Sequence, residues 1–300
     1  MAIFVAKEIR DQDVLRLFLE IMGDRYNIRG QIKKLGGMNN DNYKIPSSGK
    51  DLVFRLPGKG SNESVDRKNE LFNSSLAYNM GLNCGTIYFD KKTGFKVSEY
   101  IRGAETLTIE TANNKENMIF MAYALNTLHN SGVEFYRDFD PLGEIRDYKE
   151  VVLTGKGDLM DNYRELNTVL GSLEKRLGEL PLEYVACHLD AWPENFVKSG
   201  CRIYLIDWEY SGNYDRLWDV VSIGLECNYT REEEDYFYRK YFGRAPSGLE
   251  EEKMDVLRVL MDVYWSMWAL AKVSSGDKEL YDYSLDRFRR GLGNFARLDA

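Results

Sequence analysis

The residues best suited to chemistry are gathered on His188-Leu189-Asp190-Ala191-Trp192-Pro193-Glu194-Asn195 and on Ile206-Asp207-Trp208-Glu209-Tyr210, which follows soon after. Asp190 and Asn195 are five positions apart. An Asp and an Asn at that spacing, with a second Asp at the end of a following strand, form the arrangement used in phosphoryl transfer. That reaction asks a protein for positioning and charge neutralisation. A carboxylate must orient the attacking hydroxyl and accept its proton, which suits Asp190. Mg²⁺ prefers oxygen ligands and takes few of them from protein, which suits the Asn195 amide oxygen and the Asp207 carboxylate. Each residue alone fits a loop, a turn or a strand end equally well. The joint pattern is what points to catalysis. His188 is read as a residue that packs and holds the loop, not as a base.

These groups need a frame. Residues 184–188 and 202–206 read as adjacent short strands around the polar loop, which would bring Asn195 and Asp207 to one edge. The first hundred residues read as helix, three strands, helix and two strands. Apolar residues at helical spacing mark 7–22, and Gly23 ends the run. Strands are predicted over 26–35, 42–45, 51–56, 86–89 and 95–101, with a helix over 63–80. From residue 116 onward helices dominate, over 116–130, 158–179, 232–242, 251–273 and 281–295. The expected architecture is α+β with two lobes and a cleft, a β-rich lobe over 1–101 and a mainly helical one over 102–300.

Composition narrows the class. The chain has 300 residues, 44% of them hydrophobic, and a formal charge of −8. A net negative charge argues against nucleic acid as the main partner and weakly favours a cationic small molecule. The most apolar late stretch, 256–273, is interrupted by Arg258, Asp262 and Lys272, so no membrane span is expected. Lys7, Glu8, Arg10 and Asp11 follow the short apolar start too closely for a signal peptide. The four scattered cysteines and two histidines suit a reduced, cytoplasmic protein without structural zinc. Oligomeric state leaves no mark on the sequence. Asp219, after Trp218, is read as anchoring a helix start or the catalytic-loop backbone, and His129 as closing a helix.

HLDAWPENF followed by YLIDWEYSGNYDRLWDV resembles the choline/ethanolamine kinase family, within the aminoglycoside-phosphotransferase-like kinases. GGMNNDNY resembles its phosphate loop and LVFRL its nucleotide-contacting strand, while YWSMW and YDYSLDRF resemble its choline pocket. The similarity runs from about Leu35 to Phe288 in the family's order. It implies a protein-kinase-like bilobal fold, ATP and Mg²⁺ as cofactors, and phosphorylation of the hydroxyl of choline. By the same resemblance Gly36, Gly37, Met38, Asn39 and Asn40 turn over the ATP phosphates, and Arg55 contacts phosphate. The Glu99 carbonyl and the Ile101 N–H would bind adenine at the hinge. Glu70 either pairs with Arg55 or joins Arg67 and Lys68 among the exposed charges of its helix. Trp265 and Trp268 share a helical face, which suits a core or a cation cage. With Tyr210 and Tyr283 they would enclose the quaternary ammonium, and Asp190 and Glu226 would add negative charge. Ethanolamine, thiamine, an aminoglycoside or homoserine remain alternative acceptors, and a non-catalytic kinase-like protein is the rival of another class.

Overall fold

The computed structural model describes residues 10–36, 40–58, 65–155 and 163–298. The chain divides into two compact units. One holds the described residues up to Glu105 together with Val197–Glu209, and the other holds Thr106–Phe196 and the described residues from Tyr210 onward.

The first unit is built on a five-stranded antiparallel sheet. Its spatial order is Lys33–Gly36, Asn40–Ile45, Leu52–Pro57, Lys96–Glu99, Thr86–Phe89. Helix Asp11–Met22 turns Val14, Phe18 and Met22 onto Tyr43, Ile45, Phe54 and Val97, with the Phe18 and Phe54 rings edge to face at 5.5 Å. Helix Arg67–Asn79 starts at Asp66, whose side chain accepts from the Lys68 and Asn69 N–H groups. Its buried face is polar: Arg67, Asn69, Glu70 and Asn73. A helix that buries charge instead of hydrocarbon serves a site more than a core. The predicted strand over 26–35 is realised only at Lys33–Gly36. Before it, Gly23–Arg25 form a 3₁₀ turn, Gly30 takes a φ of +92°, and only an isolated bridge joins Ile28 to Ser47.

The adjacency expected of 184–188 and 202–206 is also corrected. Arg202–Leu205 pairs with Phe196–Ser199 through a turn at Gly200, where φ is +58°. Tyr184–Cys187 instead pairs antiparallel with Gly212–Asp215. Asn195 therefore precedes, and Asp207 follows, one β-hairpin, and its first strand, Phe196–Ser199, lies where a polar loop is expected from the sequence. The hairpin is tied to the first unit by Leu205 N–H to Leu82 C=O at 2.7 Å.

The second unit is helical around that small two-stranded sheet: Lys115–His129, Pro141–Thr154, Leu166–Glu179, Leu217–Glu226, Arg231–Phe242, Gly248–Ser274 and Tyr281–Leu298. Gly248–Ser274 packs against Tyr281–Leu298, Pro141–Thr154 and Leu217–Glu226. It begins at a capping box in which Ser247 and Glu250 satisfy each other's backbone N–H. Pro141–Thr154 and Leu217–Glu226 were not foreseen. Every residue of the latter is buried, although Asp219, Ser222 and Glu226 recur along it at helical spacing. Among the described residues no helix is long and apolar enough to cross a membrane.

Candidate active site

The first unit gathers charge. Arg55, 5% exposed, donates to Glu70 through both guanidinium ends, at 2.5 and 3.0 Å, and to the Gly94 carbonyl at 3.2 Å. The pairing weighed for Glu70 is thus realised. Arg67 is not among exposed charges as expected: it is 5% exposed and bridges Glu70 at 2.9 Å and Glu209 at 3.2 Å. The polar face of its helix turns it inward. Glu209 also accepts from the Asn40 amide at 3.4 Å. Burial alone would raise the Glu70 carboxyl, but Lys96, Arg55 and Arg67 outweigh it and hold the group at about 2. Burial and the neighbouring Asp207 carboxylate push Glu209 the other way, to about 7, against Arg55 and Arg67.

Asp207 has a φ of +65°, a left-handed conformation uncommon outside glycine, on the loop leaving the hairpin. Its Oδ1 is buried with no hydrogen-bond partner among the described residues, and the Arg55 guanidinium stands 3.9 Å away. A buried carboxylate oxygen without a donor fits a hard cation. Gly36 has a φ of +102° with open space where a Cβ would stand, and its carbonyl accepts from the Asn42 amide at 3.2 Å. Gly37, Met38 and Asn39 lie outside the described residues. The Glu99 side chain accepts from Lys50 at 2.6 Å, and the Ile101 carbonyl accepts from Ala104 N–H at 3.1 Å.

The second unit holds the loop of Asp190. The Asn195 amide nitrogen donates to the Asp190 carbonyl at 2.9 Å and to its Oδ2 at 3.1 Å. With that end committed to Asp190, the amide oxygen is the end suited to a metal. Leu189 carries a φ of +67°. Asp219 stabilises this turn by accepting from the backbone N–H groups of His188, at 2.7 Å, and Leu189, at 2.8 Å. Asp219 therefore anchors the loop backbone. It also meets His129 Nε2 at 3.0 Å, and His129 Nδ1 meets the Tyr241 hydroxyl at 2.6 Å. His129 does end its helix, but its ring faces Asp219 and Tyr241. His188 is fully buried.

The aromatic residues form a chain of edge-to-face contacts, Tyr210 to Trp265 at 5.4 Å and Trp265 to Trp268 at 5.5 Å. The Trp268 indole N–H is buried without a hydrogen-bond partner among the described residues. Burial raises the Tyr283 hydroxyl, Arg287 opposes the rise, and Glu226, Asp190 and Asp262 add to it. Glu226 is engaged by Arg287, and Arg287 stands 5.7 Å over the Tyr283 ring. Sequence reasoning missed Arg287, although it lies within YDYSLDRF. Its spacing of four from Tyr283 places it on the same helical side.

The Choline/ethanolamine kinase family profile matches residues 32–247. Protein LicA of Haemophilus influenzae is 29% identical over 261 residues, which span 84% of this chain and 76% of that protein. The crystal structure of choline kinase LicA from Streptococcus pneumoniae superposes with a TM-score of 0.84 at 32% identity, covering 95% of this chain and 99% of that one. The structure of LicA in complex with AMP gives 0.81 at 31% identity, covering 96% and 98%. The α+β, protein-kinase-like bilobal fold, β-rich first and mainly helical after, follows from these matches. By profile, sequence and structure, the chain belongs to the choline/ethanolamine kinase family.

Proposed function

We propose that the protein transfers the γ-phosphoryl group of ATP to the hydroxyl of choline, yielding phosphocholine and ADP. The observation that carries this reading is the edge-to-face chain of Tyr210, Trp265 and Trp268 in the unit that also holds the Asp190 loop, within a chain of the choline/ethanolamine kinase family. Aromatic faces attract a quaternary ammonium, each contact contributing about 0.5–2 kcal/mol. The Asp190 carboxylate would take the proton of a hydroxyl two carbons away from that ammonium.

Residues 102–300 supply the acceptor side. Asp190 orients the hydroxyl and accepts its proton as the oxygen attacks phosphorus, and Asp219 keeps the loop in place. Residues 1–101 supply the nucleotide side. Gly36 to Asn40 and Arg55 face the phosphates, and the Glu99 carbonyl and Ile101 N–H take adenine. The complex of LicA with AMP supports nucleotide use by this relative of that protein. Asn195 and Asp207 would hold Mg²⁺, whose charge offsets that of the phosphate oxygens. The unpartnered Asp207 Oδ1 and the committed Asn195 amide nitrogen both suit that role. Such a reaction draws on the ATP of the cytoplasm.

The deciding experiment is ATP turnover with choline, ethanolamine, thiamine, homoserine and an aminoglycoside. Choline should give the highest kcat/KM, and turnover should require Mg²⁺. A clear preference for another acceptor would reassign the substrate within the same reaction. No turnover with any of them, on folded protein, would favour a non-catalytic role.

A further inference from the structure

We propose that Arg287 is a specificity-determining residue that selects a methylated ammonium over a primary one by occupying the acidic groups a primary ammonium would need. The inference rests on the alcohol-kinase reading above and concerns the choice between choline and ethanolamine.

Arg287 is 4% exposed. One of its guanidinium nitrogens donates to Glu226, and its Nε stands 3.0 Å from Asp262. Asp262 is fully buried and is held on its other side by Arg290, with contacts of 2.7 and 2.9 Å. Two carboxylates are thus matched by two guanidiniums in one buried cluster. The same cluster borders Tyr283, since Arg287 lies over that ring and Glu226 and Asp262 act on its hydroxyl. Asp262 and Trp265 are three apart on one helix, so the cluster also adjoins the aromatic chain.

A primary ammonium carries three N–H donors, and each one buried without an acceptor carries a desolvation cost. A trimethylammonium has none, and needs only aromatic faces and diffuse negative potential. With Glu226 engaged by Arg287, a carboxylate beside the cation-bearing face of Tyr283 is already neutralised. Such a site penalises ethanolamine without adding any contact to choline, which is discrimination through the disfavoured substrate. Without Arg287, Glu226 becomes an acceptor for a primary ammonium.

The test is kcat/KM for choline and for ethanolamine on the wild type, Arg287→Met, Glu226→Gln and the Arg287→Met/Glu226→Gln pair. Wild type should prefer choline. Arg287→Met should lower the choline-to-ethanolamine ratio about 10-fold or more, mainly through a lower KM for ethanolamine, as a charge-assisted hydrogen bond becomes available. The double variant, lacking the released carboxylate, should return toward the wild-type ratio. An unchanged ratio in Arg287→Met, or a double variant matching it, would overturn the inference while wild-type turnover of choline left the proposed function standing. Should Arg287→Met not fold, Glu226→Gln decides. A loss of ethanolamine turnover greater than that of choline would mean Glu226 already serves the ammonium, against the inference. Losses in equal proportion would support it. Wild type that turned over neither amino alcohol would overturn the proposed function itself.

Discussion

Each unit buries a network of arginines and carboxylates, and the two networks are balanced differently. In the first, Glu70 faces Lys96, Arg55 and Arg67 and is held at about 2, while Glu209, beside Asp207, is pushed up to about 7. One acid is over-neutralised and the other under-neutralised within a single cluster, although Arg67 touches both. In the second, Glu226 and Asp262 are matched by Arg287 and Arg290, and the groups beside them are rings. The difference matches the ligands proposed for each. Phosphates and their metal bring large charges of both signs, so the residues meeting them must hold charge in a strained balance. A methylated ammonium brings one diffuse charge that aromatic faces can satisfy, so acids near it are better tied up. Changes in the first network should therefore disturb Mg²⁺·ATP use, and changes in the second network should disturb the acceptor.

The largest expected effect lies in the first network. Glu70→Gln leaves Arg55 and Arg67 buried with a weaker partner and should destabilise the protein by about 3–5 kcal/mol at neutral pH. The folded-state carboxyl lies near 2, below its ordinary value of 4.5. Its stabilisation is therefore fully present above about pH 4.5 and fades as pH falls toward 2. Melting wild type and variant across pH 3 to 7 should show the gap narrowing on the acid side. A gap of constant size would mean that the ionised carboxylate is not what stabilises the first unit.

Next in size is the effect on rate. Asp190→Ala should lower kcat about 100-fold or more while ATP affinity, measured by calorimetry, stays near that of wild type. A variant keeping over about a tenth of kcat would remove Asp190 from the chemistry. A lost ATP affinity would break the division of labour between units. Asp207→Asn should do the reverse. It should raise the Mg²⁺ concentration needed for half-maximal rate by about 10-fold or more, since a hard cation prefers a charged oxygen. Excess Mg²⁺ should restore part of the rate, and KM for choline should stay nearly constant. An unchanged Mg²⁺ dependence would exclude Asp207 as a ligand.

What could be read in the sequence divides along the same line. The pairing of Asp190 with Asn195 was within reach because spacing along a loop is local. The β-rich and helical halves were legible because period and turn residues are local too. Arg67 to Glu209 was not, because 142 positions separate them and each resembles a surface charge on its own segment. The Glu226–Arg287 pair was hidden for the same reason, with 61 positions between its members. Leu217–Glu226 was legible only as a helix start at Asp219, because its polar stripe of Asp219, Ser222 and Glu226 spans just ten residues of otherwise apolar chain. The partner strands of Tyr184–Cys187 and Arg202–Leu205 were misjudged because four-residue strands offer too little alternation to reveal their neighbours.

The smallest effects belong to the aromatic chain, and they separate substrate contact from packing. Trp265 and Trp268 are 7% and 4% exposed, nearly as buried as core residues, and each makes an edge-to-face contact with the other. If they enclose the ammonium, Trp265→Ala and Trp268→Ala should each raise KM for choline by roughly 3- to 30-fold. KM for ATP should remain within about 2-fold, because the energy lost is that of the acceptor contact. Phe at either position should give a milder change, since a ring face remains. A purely packing role has another signature. Truncation would then cost about 3–5 kcal/mol of stability, and the folded fraction would retain the wild-type KM for both substrates. The decisive measurement is KM for choline beside melting temperature on the same four variants. Trp→Phe carries the most weight, because it removes little volume compared with Ala and weakens the cation contact. A Phe variant with intact stability and a raised choline KM assigns the ring to the substrate. Intact stability with an unchanged choline KM at both positions would remove the aromatic chain from substrate binding.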